Sequence, residues 1–133
     1  MRARLFRLLG VLAVLGVAVS AAAQYGHPLK GSWSGDWGVN EDDRTRLLLE
    51  FDWDGTEITG TINPGPNAVP IAEATLDPST WRVHLEAEGR DASGNAVPYV
   101  VDGELQNLGS SHRVISGTWT QGGVTGDFTI KRN

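Results

Sequence analysis

Five short units with the pattern apolar-x-Gly-x-apolar recur along the chain and constrain its fold more than any other feature. They are Trp33-x-Gly35-x-Trp37, Ile58-x-Gly60-x-Ile62, Val101-x-Gly103-x-Leu105, Ile115-x-Gly117-x-Trp119 and Val124-x-Gly126-x-Phe128. Residues two apart in a strand share one face of the sheet, so each glycine lies in an apolar face. Glycine weakens a strand interior unless the backbone must bend or pass close to another strand. The repeat therefore predicts strands that coil around a small barrel, with large and small inward residues alternating.

Alternation of apolar and polar residues with period two runs through the chain after residue 30, and no segment there has a helical period. Turn signals recur about every ten residues, the spacing typical of a β-sandwich or a barrel. The predicted strands are Gly31–Trp37, Thr45–Trp53, Thr56–Asn63, Val69–Leu76, Thr80–Glu88, Val97–Leu105, Arg113–Thr120 and Val124–Lys131. Because most connections are short, sequence neighbours should pair in space. The predicted fold is all-β, an antiparallel up-and-down barrel of about eight strands.

Two other all-β architectures fit this pattern less well. A two-sheet sandwich gives less reason for glycines repeated at one inward phase. A membrane barrel would turn its apolar face toward lipid, where bulky residues are favoured over glycine, and the charges of the other face would crowd a narrow lumen. The chain also ends Lys131-Arg132-Asn133, without a terminal aromatic residue. The apolar face is therefore expected to point into the barrel.

The first residues have the pattern of a secretory signal peptide rather than of a folded domain. A start with three arginines is followed by the apolar run Leu8–Val19, twelve residues long, and then by small residues that include Ala21 and Ala23. A membrane anchor would need about 20 apolar residues. We predict a cleaved signal peptide over residues 1–23, one barrel domain over residues 24–133, and no membrane span in the mature chain. The predicted location is periplasmic or extracellular.

Charge and cysteine content narrow the partners of the mature domain. Without the leader, eight basic residues stand against sixteen acidic ones, a net charge of −8. A surface this acidic argues against nucleic acid and anionic membranes as partners and suits a neutral or cationic one. The chain contains no cysteine, so apolar packing without disulfides must stabilise the domain. The oligomeric state stays open.

The start of the first predicted strand resembles that of a known group of barrels. The Gly-Ser-Trp segment at residues 31–33 resembles the G-x-W motif of calycins, the group that contains lipocalins and avidin-like proteins. The resemblance implies a barrel closed at one end by the tryptophan, Trp33, with a basic residue of the last strand packed across it, here Lys131 or Arg132. No set of polar residues matches the biotin site of avidin-like proteins, so biotin binding is not implied. The chain also resembles short exported bacterial proteins of unassigned function, through its W-x-G-x-W start and residues 62–70, and that likeness implies no activity.

No combination of residues predicts a metal site. His27, His84 and His112 share no metal-ligand spacing and are predicted to be exposed. The acidic clusters at residues 52–57 and 41–43 lack the further ligands of a calcium loop. A hairpin turn explains the first cluster, and a solvated loop explains the second.

Paired carboxylates are the remaining candidate for catalysis, because two of them can flank and hydrolyse a glycosidic bond. Glu86 and Glu88 share one strand face, but Arg82 and His84 lie on that face too, which is typical of ordinary surface charge. No set of residues supplies a nucleophile, a base and a group to orient it. The sequence therefore favours a binding protein over an enzyme and predicts no cofactor.

Aromatic side chains are the candidates for ligand binding. The predicted ligand-binding residues, all on the apolar face, are Trp37, Trp53, Trp81, Tyr99 and Trp119. An eight-stranded barrel can hold one small ligand at its mouth, so the predicted ligand is a small apolar or aromatic molecule. The loop at residues 63–70, stiffened by prolines, is the candidate lid. The alternative, since aromatic residues also dominate cores, is a structural or protein-interaction domain with a filled core, acting through residues 40–44 or 63–70.

Overall fold

A computed structural model describes residues 27–133, and the predicted signal peptide lies outside the described residues. The strands are β1 (Gly31–Gly38), β2 (Arg44–Trp53), β3 (Ile58–Ile62), β4 (Val69–Asp77), β5 (Arg82–Arg90), β6 (Ala96–Gln106), β7 (Val114–Gln121) and β8 (Val124–Arg132). Each strand pairs antiparallel with its neighbours in sequence, and β1 pairs with β8, so the sheet closes. The predicted eight-stranded up-and-down barrel is confirmed. This part of the chain has no helix long and apolar enough to cross a membrane.

β3 is shorter than its predicted span of residues 56–63, with five residues. The residues before it form a turn in which the Asp54 carboxylate accepts the backbone N–H groups of Thr56 at 2.8 Å and Glu57 at 2.6 Å. Both hydrogen bonds lower the pKa of Asp54, and the bond from Glu57 has the larger effect. Asn63 ends the strand in the left-handed region, at φ 51°. The predicted hairpin turn is therefore present, but it includes Thr56 and Glu57, which were predicted to lie in the strand.

The apolar face points into the barrel, as predicted, and its side chains fill the interior. Trp33 and Trp119 are fully buried, and Phe128 is 2% exposed. The other buried hydrophobic residues are Leu29, Leu47, Leu49, Phe51, Ile62, Val69, Val83, Leu85, Ala87, Val101, Leu105, Ile115 and Ile130. No polar or charged residue of the described segment is buried. Apolar packing therefore accounts for the core, in agreement with a chain that lacks cysteine.

The repeated inward glycines lie where neighbouring strands pass too close for a side chain. An added Cβ at Gly35 would overlap the backbone of Thr129 in β8. At Gly117 it would lie 2.7 Å from the Cα of Gly103 in β6, and real Cβ atoms essentially never approach within 3.0 Å. The glycines of the remaining repeats with the same restriction are Gly60, Gly103 and Gly126. The structural role predicted for the repeat is confirmed.

Residues 27–30 close the end of the barrel at which β1 begins, called here the closed end. The Leu29 side chain is fully buried, and its carbonyl oxygen accepts the Nε1–H of Trp33 at 2.8 Å. Two arginine side chains, Arg113 and Arg132, donate to backbone carbonyls of this segment at 3.0 Å. Apolar burial and hydrogen bonds together hold the segment across the barrel.

Replacing an inward glycine should test the close approach of the strands. We expect Gly117→Ala to lower the free energy of unfolding by about 1–3 kcal/mol, because the backbone of β6 must move to admit the methyl group. Gly109→Ala is the matched control, since nothing lies within 4 Å of a Cβ there, and its effect should stay within about 0.5 kcal/mol. Urea unfolding followed by tryptophan fluorescence measures both. Equal stability of the two variants would contradict this explanation of the glycine repeat.

Candidate functional site

The five predicted aromatic residues lie in two groups at opposite ends of the barrel. Trp37, Tyr99 and Trp119 pack together, with ring centroids 6.2 Å apart for the two tryptophans and 6.1 Å apart for Tyr99 and Trp119. Trp53 and Trp81 lie at the closed end, where β2 finishes and β5 begins. Trp81 precedes β5 at φ 59° instead of lying within the strand as predicted. The structure therefore brings three of the five together and separates them from the other two.

The first aromatic group belongs to the packed interior. Trp119 is fully buried, and its Nε1–H donates to the side-chain oxygen of Gln121 at 3.1 Å. Phe128 packs edge-on against it, with ring centroids 5.7 Å apart. The Trp37 Nε1 atom is enclosed, with no hydrogen-bond partner among the described residues. These contacts are typical of core packing, in which aromatic edges meet aromatic faces.

The predicted lid, residues 63–70, borders a cavity of about 750 Å³ at the end opposite the closed end. The cavity lies between this loop and the β5–β6 hairpin. Of the five residues predicted to bind a ligand, Tyr99 lines this cavity. Its polar lining residues are Asn63, Asn67, Glu88, Arg90 and Asp91. Sites for apolar ligands have few polar groups, so this lining is a poor match for the predicted ligand.

A second cavity opens through the barrel wall, where β3 and β4 separate. These two strands form two partner pairs, at Val69 and Pro70 of β4, whereas the other neighbouring strands form five or more. Proline has no N–H group, so Pro70 cannot donate to the ladder. Immediately beyond it, a bulge between Ile71 and Glu73 shifts the β4–β5 register, and bulges bend the strand that carries them. The resulting opening is called here the lateral cleft.

The lateral cleft has a volume of about 470 Å³ and an apolar floor. Its lining consists of His27, Trp53, Thr56, Glu57, Ile58 and residues 72–76 of β4. Ile58, Ala74 and Leu76 are partly buried and pack against the core. Glu57 and Glu73 are exposed carboxylates at its rim. The volume lies within the range of about 300–1,000 Å³ that is typical of small-molecule sites.

His27 and Trp53 form the aromatic wall of the cleft. Their ring centroids are 4.5 Å apart and their planes are inclined by 32°. His27 was predicted to be exposed but is half-buried, and this burial lowers its pKa and so favours the neutral ring. Its Nδ1 accepts the backbone N–H of Leu29 at 3.1 Å, so the hydrogen of the neutral ring is on Nε2. The wall offers a ligand an aromatic surface and one N–H donor.

Four ionisable side chains meet on the outer face of β4, β5 and β6. His84 Nδ1 lies 2.6 Å from Asp102 Oδ1, and His84 Nε2 lies 3.3 Å from Glu86 Oε2. Glu73 stands directly opposite Glu86. The hydrogen bond to Asp102 raises the pKa of His84, and the contact with Glu86 raises the pKa of Glu73. Sequence reasoning placed His84 and Glu86 on the outer face but did not connect them with Glu73 or Asp102, because alternation alone does not give strand register.

Comparison of the chain with protein-family models, with curated proteins and with solved structures finds no match. The eight-stranded antiparallel barrel is the architecture that the calycin resemblance implies, and the architecture is the part of that resemblance which the structure supports. Trp33 is buried at the closed end, and Arg132 is its partner in the β1–β8 pairing. Function must therefore be argued from the cavities and side chains of this barrel.

The burial pattern predicts which tryptophans a soluble quencher reaches. Trp33 and Trp119 are fully buried, whereas Trp53 lines an open cleft. Trp53→Phe should therefore lower the fraction of the emission that acrylamide quenches, and Trp119→Phe should raise it by removing a shielded fluorophore. Acrylamide titrations of the two variants and the unchanged protein measure this fraction. Identical quenching curves for all three proteins would contradict the difference in exposure.

Proposed function

We propose that this protein is an exported, calycin-like binding protein that takes a small apolar or aromatic molecule in the lateral cleft. The observation that carries the proposal is the opening of about 470 Å³ in the barrel wall, with Ile58 and Leu76 at its floor and Trp53 at its side. An apolar floor beside one aromatic wall is typical of small-molecule sites. The signal-peptide pattern and the G-x-W resemblance support the same class of protein.

The packed interior favours a site in the wall over a site on the barrel axis. Trp33, Trp119 and Phe128 are at most 2% exposed. A ligand on the axis would have to displace such side chains, at a cost of about 1.5–3 kcal/mol for each one exposed. Entry into the lateral cleft requires no such displacement, because the cleft is already open to solvent.

The rim of the cleft favours a ligand with a neutral or cationic polar group. Glu57 and Glu73 place two carboxylates there, and His27 adds a neutral ring whose Nε2–H can donate. An acidic domain repels anions and attracts cations. We therefore expect an apolar or aromatic body in the cleft, with an acceptor or an amine directed toward the rim.

Binding of the neutral fluorescent probe N-phenyl-1-naphthylamine tests the proposal. Its fluorescence should rise on addition of the protein, as the naphthyl group leaves water. Trp53→Ala removes the aromatic wall, and Ala74→Phe fills the floor of the cleft. Trp53→Ala should weaken probe binding at least about tenfold, because a buried aromatic side chain is worth about 1.5–3 kcal/mol. Ala74→Phe should weaken it by a similar factor, because the added ring occupies the space that the probe would fill.

Ala96→Phe is the matched control for these cleft variants. Ala96 is exposed at the start of β6, at the opposite end of the barrel, so its replacement should leave the probe affinity unchanged. An unchanged protein that binds no probe, or cleft variants that bind it normally, would contradict the proposal. Loss of binding in Tyr99→Leu but not in Trp53→Ala would move the ligand to the cavity beside residues 63–70.

A second candidate, the addition of a peptide strand, is favoured by the backbone that faces the same cleft. Within residues 27–133, the pairing between β3 and β4 stops at Pro70. Residues 58–60 pair with β2 and residues 73–76 pair with β5, but these two stretches do not pair with each other across the cleft. An extended peptide that pairs with such an edge gains main-chain hydrogen bonds. This candidate keeps the protein-interaction role that the sequence left open, but it places the contact in the cleft instead of at residues 40–44 or 63–70.

Amide hydrogen exchange distinguishes the two candidates. A capped pentapeptide of alternating valine and threonine should slow exchange at residues 58–60 and 72–76 if it adds as a strand, because new hydrogen bonds protect amides. The naphthylamine probe contacts side chains and should leave those amides unprotected. Protection by the peptide without probe binding would replace the first candidate by the second. Peptide protection confined to β1 and β2 would contradict strand addition in the cleft.

A further inference from the structure

We propose that Glu73, His84 and Glu86 bind a zinc ion on the outer face of β4 and β5, with Asp102 orienting the histidine. One nitrogen or carboxylate oxygen of each of the three residues lies within 4.8 Å of those of the other two. The zinc site shares Glu73 with the rim of the lateral cleft, whereas its other two ligands, His84 and Glu86, do not line the cleft. Zinc binding can therefore be tested without a ligand in the cleft. Strand register, the orientation of the histidine ring and the spacing of the ligand atoms support it separately.

The β4 bulge brings Glu73 to this face. Ile71 pairs with Ala87, and the next partner pair joins Glu73 to Glu86, so β4 carries one extra residue between the two pairs. Without this extra residue, Ala72 would oppose Glu86, and the Glu73 side chain would point into the barrel, because successive side chains alternate between faces. Bulges frequently redirect a side chain beside a functional site. Here the redirected side chain is one of the three ligands.

The opposed carboxylates of Glu73 and Glu86 call for a cation between them. Like charges directly opposite each other on neighbouring strands are destabilising. Among residues 27–133, no lysine or arginine forms an ion pair with either carboxylate, and Arg90 pairs with Glu88 instead. Within that segment, the one cationic partner that Glu86 has is His84, when its ring is protonated. A bound divalent cation would turn this repulsion into shared coordination.

Asp102 holds His84 in the orientation of metal-binding histidines. Its Oδ1 lies 2.6 Å from Nδ1, and because a carboxylate only accepts, Nδ1 carries the hydrogen. In the neutral ring the lone pair is then on Nε2, which faces Glu86 Oε2 at 3.3 Å. Two acceptors at that distance repel unless a proton or a cation lies between them. Histidine bonded to a carboxylate through one nitrogen and to the metal through the other is a recurring arrangement in zinc sites.

Zinc fits the ligand types and their spacing better than calcium or magnesium. Zinc binds imidazole nitrogen and carboxylate oxygen at about 2.0–2.2 Å. A tetrahedron with such bonds places neighbouring ligand atoms about 3.3 Å apart, which equals the 3.3 Å between His84 Nε2 and Glu86 Oε2. Calcium and magnesium instead take oxygen ligands almost exclusively. Three protein ligands leave the fourth position to water, as in open zinc sites.

Calorimetric titration of the full chain, freed of metal with a chelator, with zinc chloride tests the proposal. We expect one zinc ion per chain. His84→Ala should abolish binding, and Glu73→Gln or Glu86→Gln should weaken it at least tenfold. Asp102→Asn removes only the group that orients the ring and should weaken binding by about 10–100-fold. Bound cobalt should show the intense visible absorption of tetrahedral coordination in the unchanged protein and lose it in His84→Ala.

His112→Ala and Glu88→Gln are the matched controls. His112 lies exposed in the loop before β7, and Glu88 lies exposed on β5 beyond Glu86. Both variants should bind zinc as the unchanged protein does, and circular dichroism should show an intact barrel in every variant. Binding that survives His84→Ala, or that the controls lose equally, would overturn the proposal. A titration that releases no heat beyond that of dilution would also overturn the proposal. The cluster would then be a metal-free ion pair of protonated His84 with Glu86 and Asp102.

Discussion

The close approach of strands inside a narrow cylinder is the constraint on which the rest of this structure depends. At Gly35 and Gly117 the neighbouring backbone leaves no room for a Cβ atom, and this spacing allows Trp33, Trp119 and Phe128 to fill the axis. A core packed at this density admits a ligand only by displacing side chains. Cavities therefore lie at the periphery, at an end or where the wall fails to close, and the one with the apolar floor lies in the wall.

Both candidate sites have a common origin in the irregular backbone of β4. On one side, Pro70 cannot donate a hydrogen bond, and pairing with β3 stops there, which opens the lateral cleft. On the other side, the bulge after Ile71 changes the register with β5 and turns Glu73 outward to face Glu86. A regular strand would have closed the wall and buried that carboxylate. Two local departures from ideal pairing thus account for both features to which we assign a function.

Period two and the glycine repeat were enough to predict the barrel, its eight strands and its inward face, because these follow from local geometry. The position of a residue along the barrel axis does not follow from local geometry. Trp37 and Trp53 therefore share a predicted face yet lie at opposite ends of the barrel. The pairing of His84 with Asp102 could have been found by counting outward from the turn before Asn95, since a hairpin fixes its own register. The position of Glu73 could not, because alternation contains no signal for the bulge that redirects it.

The proposed zinc ion would also explain how the barrel tolerates a gap in its wall. β4 pairs along most of its length with β5, while it pairs with β3 at Val69 and Pro70. A metal bound by Glu73 on β4 and by His84 on β5 would link the two strands at the bulge, where their ladder is interrupted. A ligand that binds only the folded state stabilises it, and the zinc ion would do so without closing the lateral cleft. The cleft could then stay open to a ligand while the β4 edge of the cleft is linked to β5 on the outer face.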